Sequence, residues 1–225
     1  MMLEADVLLR PADGMPIMAH PPDTDSDLSL EQFLKETIGT NKGIKLDFKS
    51  TAAIEPSLKT LLDVTSEQEV LNPVWFNADV LPGPCHKETA FSDVVLDPEV
   101  FLSLCAKYYP SAVLSAGWTT GEHIFVEEDR YEWRFVKPMK DLLSDVSQPI
   151  TFSMRANMIG NSMEQIIWLL SLSDQCTLTI WSTNFDKPNM KELVNLRNKV
   201  GKTRIFYDLP SDQETKFMEE LKHQN

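Results

Sequence analysis

The sequence has few basic residues and few cysteines. Lys and Arg together number 21 against 34 Asp and Glu, which gives a formal net charge of -13. Because nucleic-acid-binding proteins usually carry clustered Lys and Arg that replace phosphate counterions, we expect no nucleic-acid partner. The three cysteines, Cys85, Cys105 and Cys176, are odd in number and widely spaced, which excludes a disulfide framework. We expect Cys105 and Cys176 to be buried as small apolar residues.

Long apolar runs are also missing. The most hydrophobic stretch, Ile166 to Leu172, is flanked by Glu164 and Asp174 and is far shorter than the roughly 18 residues that span a bilayer. We therefore expect no transmembrane segment and a soluble chain. The first residues lack the basic start and apolar core of a secretory signal, so we expect no signal peptide in this chain. A longer form with an export signal would place the same domain outside the cell.

The sequence does contain a regular alternation of strand-like and helical segments. A hydrophobic fraction of 42% over 225 residues is sufficient for a sizeable core. Strands that alternate with amphipathic helices indicate βαβ units and a parallel sheet. The strand-like segments are residues 3–9, 43–49, 73–80, 112–118, 149–155, 177–182 and 203–208.

These segments predict an α/β fold. A TIM-type (β/α)8 barrel has eight βα units, and we expect such a barrel here, truncated at the N-terminus to about seven units by the absence of its first strand and helix. We assign residues 1–225 to this single domain, since no linker divides the chain. Helix starts are predicted at a capping box formed by Ser29 and Gln32 and at Pro98, which follows Asp97.

Two acidic residues near the start are the first candidate functional residues. Glu4 and Asp6 are two positions apart on a predicted strand, so their side chains point to the same face. Adjacent carboxylates repel each other unless a cation or water takes up their charge. A turn at Asp13-Gly14 follows, and then His20, a residue able to transfer a proton near neutral pH.

Later strands repeat this arrangement of polar residues on one face. Lys45, Asp47 and Lys49 alternate with Leu46 and Phe48. Asn77 with Asp79, and Ser153 with Arg155, follow the same spacing on the next predicted strands. Glu4, Asp6 and Asp47 would form a hard oxygen site for Mg²⁺ or Ca²⁺ rather than for zinc. Lys49 and Arg155 would then face an anion.

Several long motifs resemble those of the menorin family, and together they cover nearly the whole chain. They are Leu3-Glu4-Ala5-Asp6-Val7, Pro16-Ile17-Met18-Ala19-His20-Pro21-Pro22, Asn41-Lys42-Gly43-Ile44-Lys45-Leu46-Asp47-Phe48-Lys49-Ser50, Pro73-Val74-Trp75 with Asn77-Ala78-Asp79, Leu81-Pro82-Gly83-Pro84, Gly117-Trp118-Thr119-Thr120-Gly121, Leu178-Thr179-Ile180-Trp181 and Phe206-Tyr207-Asp208.

That family is in turn similar to the glycerophosphodiester phosphodiesterases, a phospholipase C-like barrel superfamily. Its Glu-x-Asp, later histidine and acidic-x-Lys motifs match Glu4, Asp6, His20, Asp47 and Lys49 here. The resemblance implies a metal-dependent phosphodiester hydrolase or lyase that acts on a small phosphodiester or a lipid headgroup.

The resemblance also implies roles for individual residues. Glu4, Asp6 and Asp47 would hold Mg²⁺ or Ca²⁺. His20 and Lys49 would be catalytic, with Lys49 also close to the phosphate. The substrate-binding assignments are Lys45, Arg155, Asn77 and Trp181. Because the superfamily pairs two histidines and the first is absent here, we expect a rate loss of about 10²- to 10⁴-fold, or no catalysis.

Structural interpretations compete with each assignment. Glu4 and Asp6 would also fit a solvent-facing strand edge, and the lysines beside Asp47 would fit a charge ladder. His20 would fit a turn, Arg155 a neutralising partner for the acidic cluster, and Trp181 the core. The alternative function is a non-catalytic protein-interaction or extracellular signalling protein in neuronal development or maintenance. A third alternative is an unstable fragment, because an opened barrel exposes unpaired strand edges.

Overall fold

Strands and helices alternate along the chain. The computed structural model describes residues 1–67, 72–84, 96–120 and 129–223. The strands are β1 Met2–Leu9, β2 Pro16–Met18, β3 Gly43–Phe48, β4 Val74–Pro82, β5 Val113–Thr119, β6 Ile150–Arg155, β7 Cys176–Trp181 and β8 Ile205–Asp208. The helices are α1 Leu30–Thr37, α2 Thr51–Glu67, α3 Pro98–Tyr108, α4 Trp133–Leu142, α5 Met163–Leu170, α6 Met190–Val200 and α7 Ser211–His223.

The strands form one sheet in the order β2-β1-β3-β4-β5-β6-β7-β8. β1 pairs with β3, β3 with β4, β6 with β7 and β7 with β8 in parallel. All seven predicted strand segments are therefore confirmed, with ends that differ by a few residues. The α/β class is also confirmed.

The predicted barrel is wrong. β2 runs antiparallel to β1, with Val7 opposite Met18 and Leu9 opposite Pro16. Within the described residues, β2 and β8 are the two ends of the strand order, and β8 does not pair with β1 or β2. The sheet is thus mixed and open, and it is neither a closed TIM barrel nor a barrel of seven βα units.

The turn between β1 and β2 explains why the chain departs from the predicted parallel order. Gly14 has a φ of +71°, a left-handed conformation that glycine adopts without steric cost, and Arg10 O accepts the Gly14 N–H at 2.8 Å. This turn folds the chain back so that three residues pair beside β1. A strand of three residues has too few alternating positions to be detected from periodicity.

Contacts divide the chain into two compact units. The first is formed mainly by Met1–Val80 and Val94–Ala116, and the second mainly by Gly117–Asp145 and Ile150–Asn225. The assignment of residues 1–225 to one domain stays a prediction.

The core of the first unit lies between its strands and helices. Phe48 of β3 lies 5.9 Å from Phe76 of β4 and 6.3 Å from Phe101 of α3, measured between ring centroids. The capping box at α1 is confirmed, since Ser29 accepts the Gln32 backbone N–H and the Gln32 side chain accepts the Ser29 N–H. Cys105 is buried here, as predicted.

The core of the second unit is also aromatic. The Trp118 ring lies 5.2 Å from Tyr131 and 6.4 Å from Phe152. Cys176 is buried, as predicted, while Cys85 lies outside the described residues. None of the helices described here is long and apolar enough to cross a bilayer, which agrees with the prediction of no transmembrane segment.

Candidate functional site

Three acidic side chains converge in the first unit. The parallel register of β1 and β3 places Asp6 beside Asp47 and Glu4 beside Lys45. One carboxylate oxygen from each of Glu4, Asp6 and Asp47 lies within 4.8 Å of the other two. The sequence thus predicted correctly that these groups meet, while their role as metal ligands stays a prediction.

Two lysines contact the same carboxylates. Lys49 Nζ lies 3.0 Å from Asp6 Oδ1 and 2.8 Å from Asp47 Oδ2. Lys45 Nζ lies 3.5 Å from Glu4 Oε1. With the three acids ionised and both lysines protonated, these five groups carry one net negative charge.

Asp47 is held from its other side by a buried chain of hydrogen bonds. Asn77 Nδ2 donates to Asp47 Oδ1 at 2.8 Å, and Ser115 Oγ donates to Asn77 Oδ1 at 2.5 Å. The register explains the alignment, because Asp6, Asp47 and Asn77 are consecutive partners across β1, β3 and β4. Asn77, assigned to substrate binding from the sequence, therefore orients Asp47 in this structure.

The charges of this cluster shift the pKa values of its buried members. Burial by itself raises the pKa of Asp47, but the Lys49 and Lys45 charges and the hydrogen bonds from Lys49 and Asn77 outweigh it, and the pKa is lowered. For Lys49, burial lowers the pKa, but the charges and hydrogen bonds of Asp47 and Asp6 outweigh it and raise the pKa. Both groups therefore stay charged at neutral pH.

Asp79 is a further acidic group of this region that the site prediction left out. Burial raises its pKa to about 7, the negative charge of Asp47 adds to the shift, and Lys49 and Lys45 oppose it. The i, i+2 spacing from Asn77 on β4 predicted a shared face. The sequence does not encode burial directly, so it gave no signal that this carboxyl would titrate near neutral pH.

The chemistry of the donor set fits a hard divalent cation. Carboxylate oxygens are the ligands that Mg²⁺ and Ca²⁺ prefer, and zinc favours nitrogen and sulfur. Within the described ranges, the acidic group of Glu4, Asp6 and Asp47 contains no histidine or cysteine. Glu4 is exposed and Asp6 is half-buried, so water has access to complete a coordination shell.

His20 lies just beyond β2. Its side chain is exposed, and its Nδ1 lies 2.6 Å from the Pro21 carbonyl oxygen. The Ala19 N–H, one residue earlier, donates to Asp6 O at 3.1 Å. His20 is thus on a segment bonded to β1 but is not a member of the carboxylate group, and its catalytic role stays a prediction.

Arg155 lies in the second unit and forms a buried ion pair there. Its Nε and Nη2 donate to the two carboxylate oxygens of Asp186, at 2.9 and 3.0 Å. Asn157 Nδ2 also donates to Asp186, at 2.9 Å, and the Thr183 N–H donates at 2.8 Å. The sequence did not identify Asp186, because it lies in a loop outside any periodic pattern.

Trp181 is the neighbour of Arg155 across β6 and β7. The Arg155 guanidinium carbon lies 5.1 Å from the centre of the indole ring, within the range of a cation–π contact. Trp181 is half-buried. Its assignment to substrate binding stays a prediction, and the contact with Arg155 gives it a packing role as well.

The fold and this cluster define an α/β protein with a carboxylate-rich site on adjacent parallel strands. Comparison with known proteins gives the family. The model of the menorin N-terminal domain matches residues 1–214. Protein FAM151B of Homo sapiens is 41% identical to this chain over 224 residues, which covers 98% of this chain and 78% of the relative. The chain belongs to the menorin family.

Proposed function

We propose that this protein binds a divalent cation, Mg²⁺ or Ca²⁺, through Glu4, Asp6 and Asp47, and that the site takes a phosphodiester group. The observation that carries the proposal is the convergence of three carboxylates within 4.8 Å of one another. The two nearby lysines neutralise two of the three carboxylate charges and leave one negative charge uncompensated. Like charges at this distance are costly, and a cation that bridges them offsets the cost.

The phosphodiester part of the proposal rests on the two lysines and on the resemblance to glycerophosphodiester phosphodiesterases. Lys49 is held at the cluster by contacts of 2.8 and 3.0 Å with carboxylates. An ammonium group beside a bound cation provides the positive charge that an oxyanion requires. The ligand is a small phosphodiester or a lipid headgroup. Both carry a phosphodiester anion, which is the group that the site would contact.

The residues assigned to substrate binding differ in what they contact in the structure. Asn77 contacts Asp47 and is a positioning residue. Lys45 contacts Glu4, and we propose that it also contacts the ligand. The bidentate pair with Asp186 supports a structural role for Arg155 rather than phosphate binding. Trp181 packs against Arg155, and its assignment to substrate binding stays a prediction.

Turnover is secondary to binding in this proposal. When bound, the cation would neutralise phosphoryl oxygens and polarise the phosphorus centre. His20 is the candidate for proton transfer, but within the described residues the carboxylate group contains no histidine. We therefore propose binding as the primary function and expect hydrolysis to be slow.

Calorimetric titration of Mg²⁺ and Ca²⁺ tests the cation site. Asp47→Asn keeps the size of the side chain and removes its charge, so we expect the dissociation constant to rise at least about 100-fold. The matched control is Asp63→Asn, an exposed change on α2 that should leave cation binding unaltered. No binding by the parent protein at millimolar cation would refute the proposal.

A second assay separates binding from catalysis. The parent protein is incubated with bis(4-nitrophenyl) phosphate and Mg²⁺ or Ca²⁺, and release of nitrophenol is followed. Slow release that Asp47→Asn abolishes supports a phosphodiesterase. Cation binding without release favours the alternative predicted from the sequence, a non-catalytic interaction protein.

A further inference from the structure

Lys49 occupies a particular place in the carboxylate cluster. Its ammonium group lies between Asp6 Oδ1 at 3.0 Å and Asp47 Oδ2 at 2.8 Å. Lys45, by contrast, lies 3.5 Å from Glu4, which is longer than either contact of Lys49. One lysine thus bridges two of the three candidate ligands, and the other lies beside the third.

Lys49 contacts the oxygen of Asp47 that Asn77 does not. Asp47 Oδ1 accepts the Asn77 amide at 2.8 Å, and Asp47 Oδ2 lies 2.8 Å from Lys49 Nζ. Ca²⁺ and Mg²⁺ bind carboxylate oxygens at about 2.0 to 2.6 Å. A cation held by Asp6 Oδ1 and Asp47 Oδ2 would overlap the ammonium group, which contacts the same two oxygens.

We propose that Lys49 is a displaceable counter-ion, which holds Asp6 and Asp47 together without metal and is expelled toward an anionic ligand when a divalent cation binds between them. This inference rests on the proposed function, because it assumes the cation site. It adds that the cation and the phosphate do not bind independently.

Displacement makes the two binding events cooperative. Without the cation, the Lys49 ammonium is engaged by two carboxylates and offers little to an oxyanion. With the cation bound, the same charge is released next to it. Coupling between ligands typically changes affinity about 5- to 150-fold, and by reciprocity the anion strengthens cation binding by the same factor.

The decisive variant is Lys49→Met, which keeps a long apolar stem and removes the ammonium group. Because the competing charge is gone, we expect Mg²⁺ to bind about 10- to 100-fold more tightly, the factor that corresponds to one or two charge-assisted hydrogen bonds. The matched control is Lys45→Met, which removes the same charge from the same cluster. Its gain in Mg²⁺ affinity should be smaller than that of Lys49→Met, since Lys45 Nζ lies 3.5 Å from the third carboxylate, Glu4, whereas Lys49 contacts Asp6 and Asp47 at 3.0 and 2.8 Å.

Titration with dimethyl phosphate, a minimal phosphodiester, reports the coupling. In the parent protein, saturating Mg²⁺ should tighten its binding at least about fivefold. In Lys49→Met this enhancement should be lost, whereas in Lys45→Met it should persist.

A measurement on the parent protein does not depend on any variant folding. Acetylation of lysines by a limiting reagent, followed by peptide mass analysis, compares Lys49 with Lys45 in the presence and absence of Ca²⁺. Release of Lys49 from the two carboxylates should make it severalfold more reactive relative to Lys45. An unchanged ratio would overturn the displacement.

The outcomes separate this inference from the proposed function. Equal Mg²⁺ affinity in Lys49→Met and the parent protein, with binding lost in Asp47→Asn, would overturn the displacement and leave the cation site standing. Binding by Lys49→Met but not by the parent protein would refute the proposed function and, with it, the displacement, since no cation would expel Lys49 from the parent. Failure of the parent protein and both lysine variants to bind Mg²⁺ or Ca²⁺ would refute both.

Discussion

The carboxylate cluster and the Arg155–Asp186 pair have the same origin in sequence but different electrostatic outcomes. Both arise where polar residues alternate along a parallel strand, on β3 and on β6. In the pair, one guanidinium meets one carboxylate through two hydrogen bonds, and both side chains are less than a tenth exposed. In the cluster, three carboxylates share two lysines, and Glu4 is 36% exposed.

The difference shows that charge balance and access distinguish a ligand site from a structural element. A buried pair whose donors and acceptors are matched has little to gain from a ligand. A cluster with excess charge and open access gains from a counter-ion of its own. Alternation along a strand predicts where polar side chains gather, but it does not predict whether they neutralise one another.

Breaking the pair should have the largest effect on stability. Asp186→Ala leaves the buried Arg155 charge without its carboxylate, and we expect the free energy of unfolding to fall by about 3–5 kcal/mol. Urea titration followed by circular dichroism measures it. Mg²⁺ affinity should remain within about twofold of the parent value wherever the variant is folded.

The double variant Arg155→Met with Asp186→Leu is the control for this prediction. It removes both charges, so much of the lost stability should return, since apolar residues of similar size often replace a buried ion pair without cost. A double variant as unstable as Asp186→Ala would show that neither charge explains the loss. A large fall in Mg²⁺ affinity in Asp186→Ala would erase the contrast between the two regions.

The parts of the structure predicted from sequence are those that depend on local pattern. Alternation located the seven predicted strands, and the i, i+2 rule put Glu4 and Asp6 on one face. The capping box at Ser29 follows from two side chains three residues apart. Each of these features is decided within a few residues of chain, so neighbouring sequence contains the necessary information.

The parts that were missed depend on long-range partners or on short elements. Asp186 lies 31 positions from Arg155 and has no periodic signal. Ser115 is 38 positions from Asn77, and only the folded sheet brings the two together. β2 has only three residues, and it pairs antiparallel with the edge of β1 where a closed barrel would have a parallel strand.

The pH dependence of the free energy of unfolding tests whether the pKa of Asp79 is raised beside the carboxylate cluster. A carboxyl that has a pKa of about 7 when folded, and near 4 when unfolded, binds its proton more tightly in the folded state. Stability from this group is therefore greatest below pH 4 and declines as the pH rises to 7. Asp79→Asn should lose this decline, equal the parent near pH 4, and exceed it in stability at pH 8.

Urea titrations from pH 4 to pH 8, with a chelator present, measure this difference. Asp47, whose pKa is lowered, adds an opposite trend below about pH 5 in both proteins, so it cancels in the difference between them. Parallel curves for Asp79→Asn and the parent would show that burial does not shift the pKa of Asp79. Curves that converge near pH 4 and separate toward pH 8 would confirm that burial, together with the Asp47 charge, raises the pKa of Asp79.

Ser115→Ala should have the smallest effect on stability. It tests whether a buried hydrogen bond behind the carboxylate cluster differs in its effect on Mg²⁺ binding from one in the second unit. Losing the hydrogen bond to Asn77 should lower the free energy of unfolding by about 1 kcal/mol. Its matched control is Thr151→Val, which removes a buried hydroxyl bonded to Thr179 at 2.8 Å in the second unit. Both variants should lose similar stability in urea, but only Ser115→Ala should weaken Mg²⁺ binding, by about 10-fold, because Asn77 would no longer hold Asp47 in place. Equal Mg²⁺ affinity in the two variants would mean that the row from Asp6 to Ser115 supports the sheet and not the ligand.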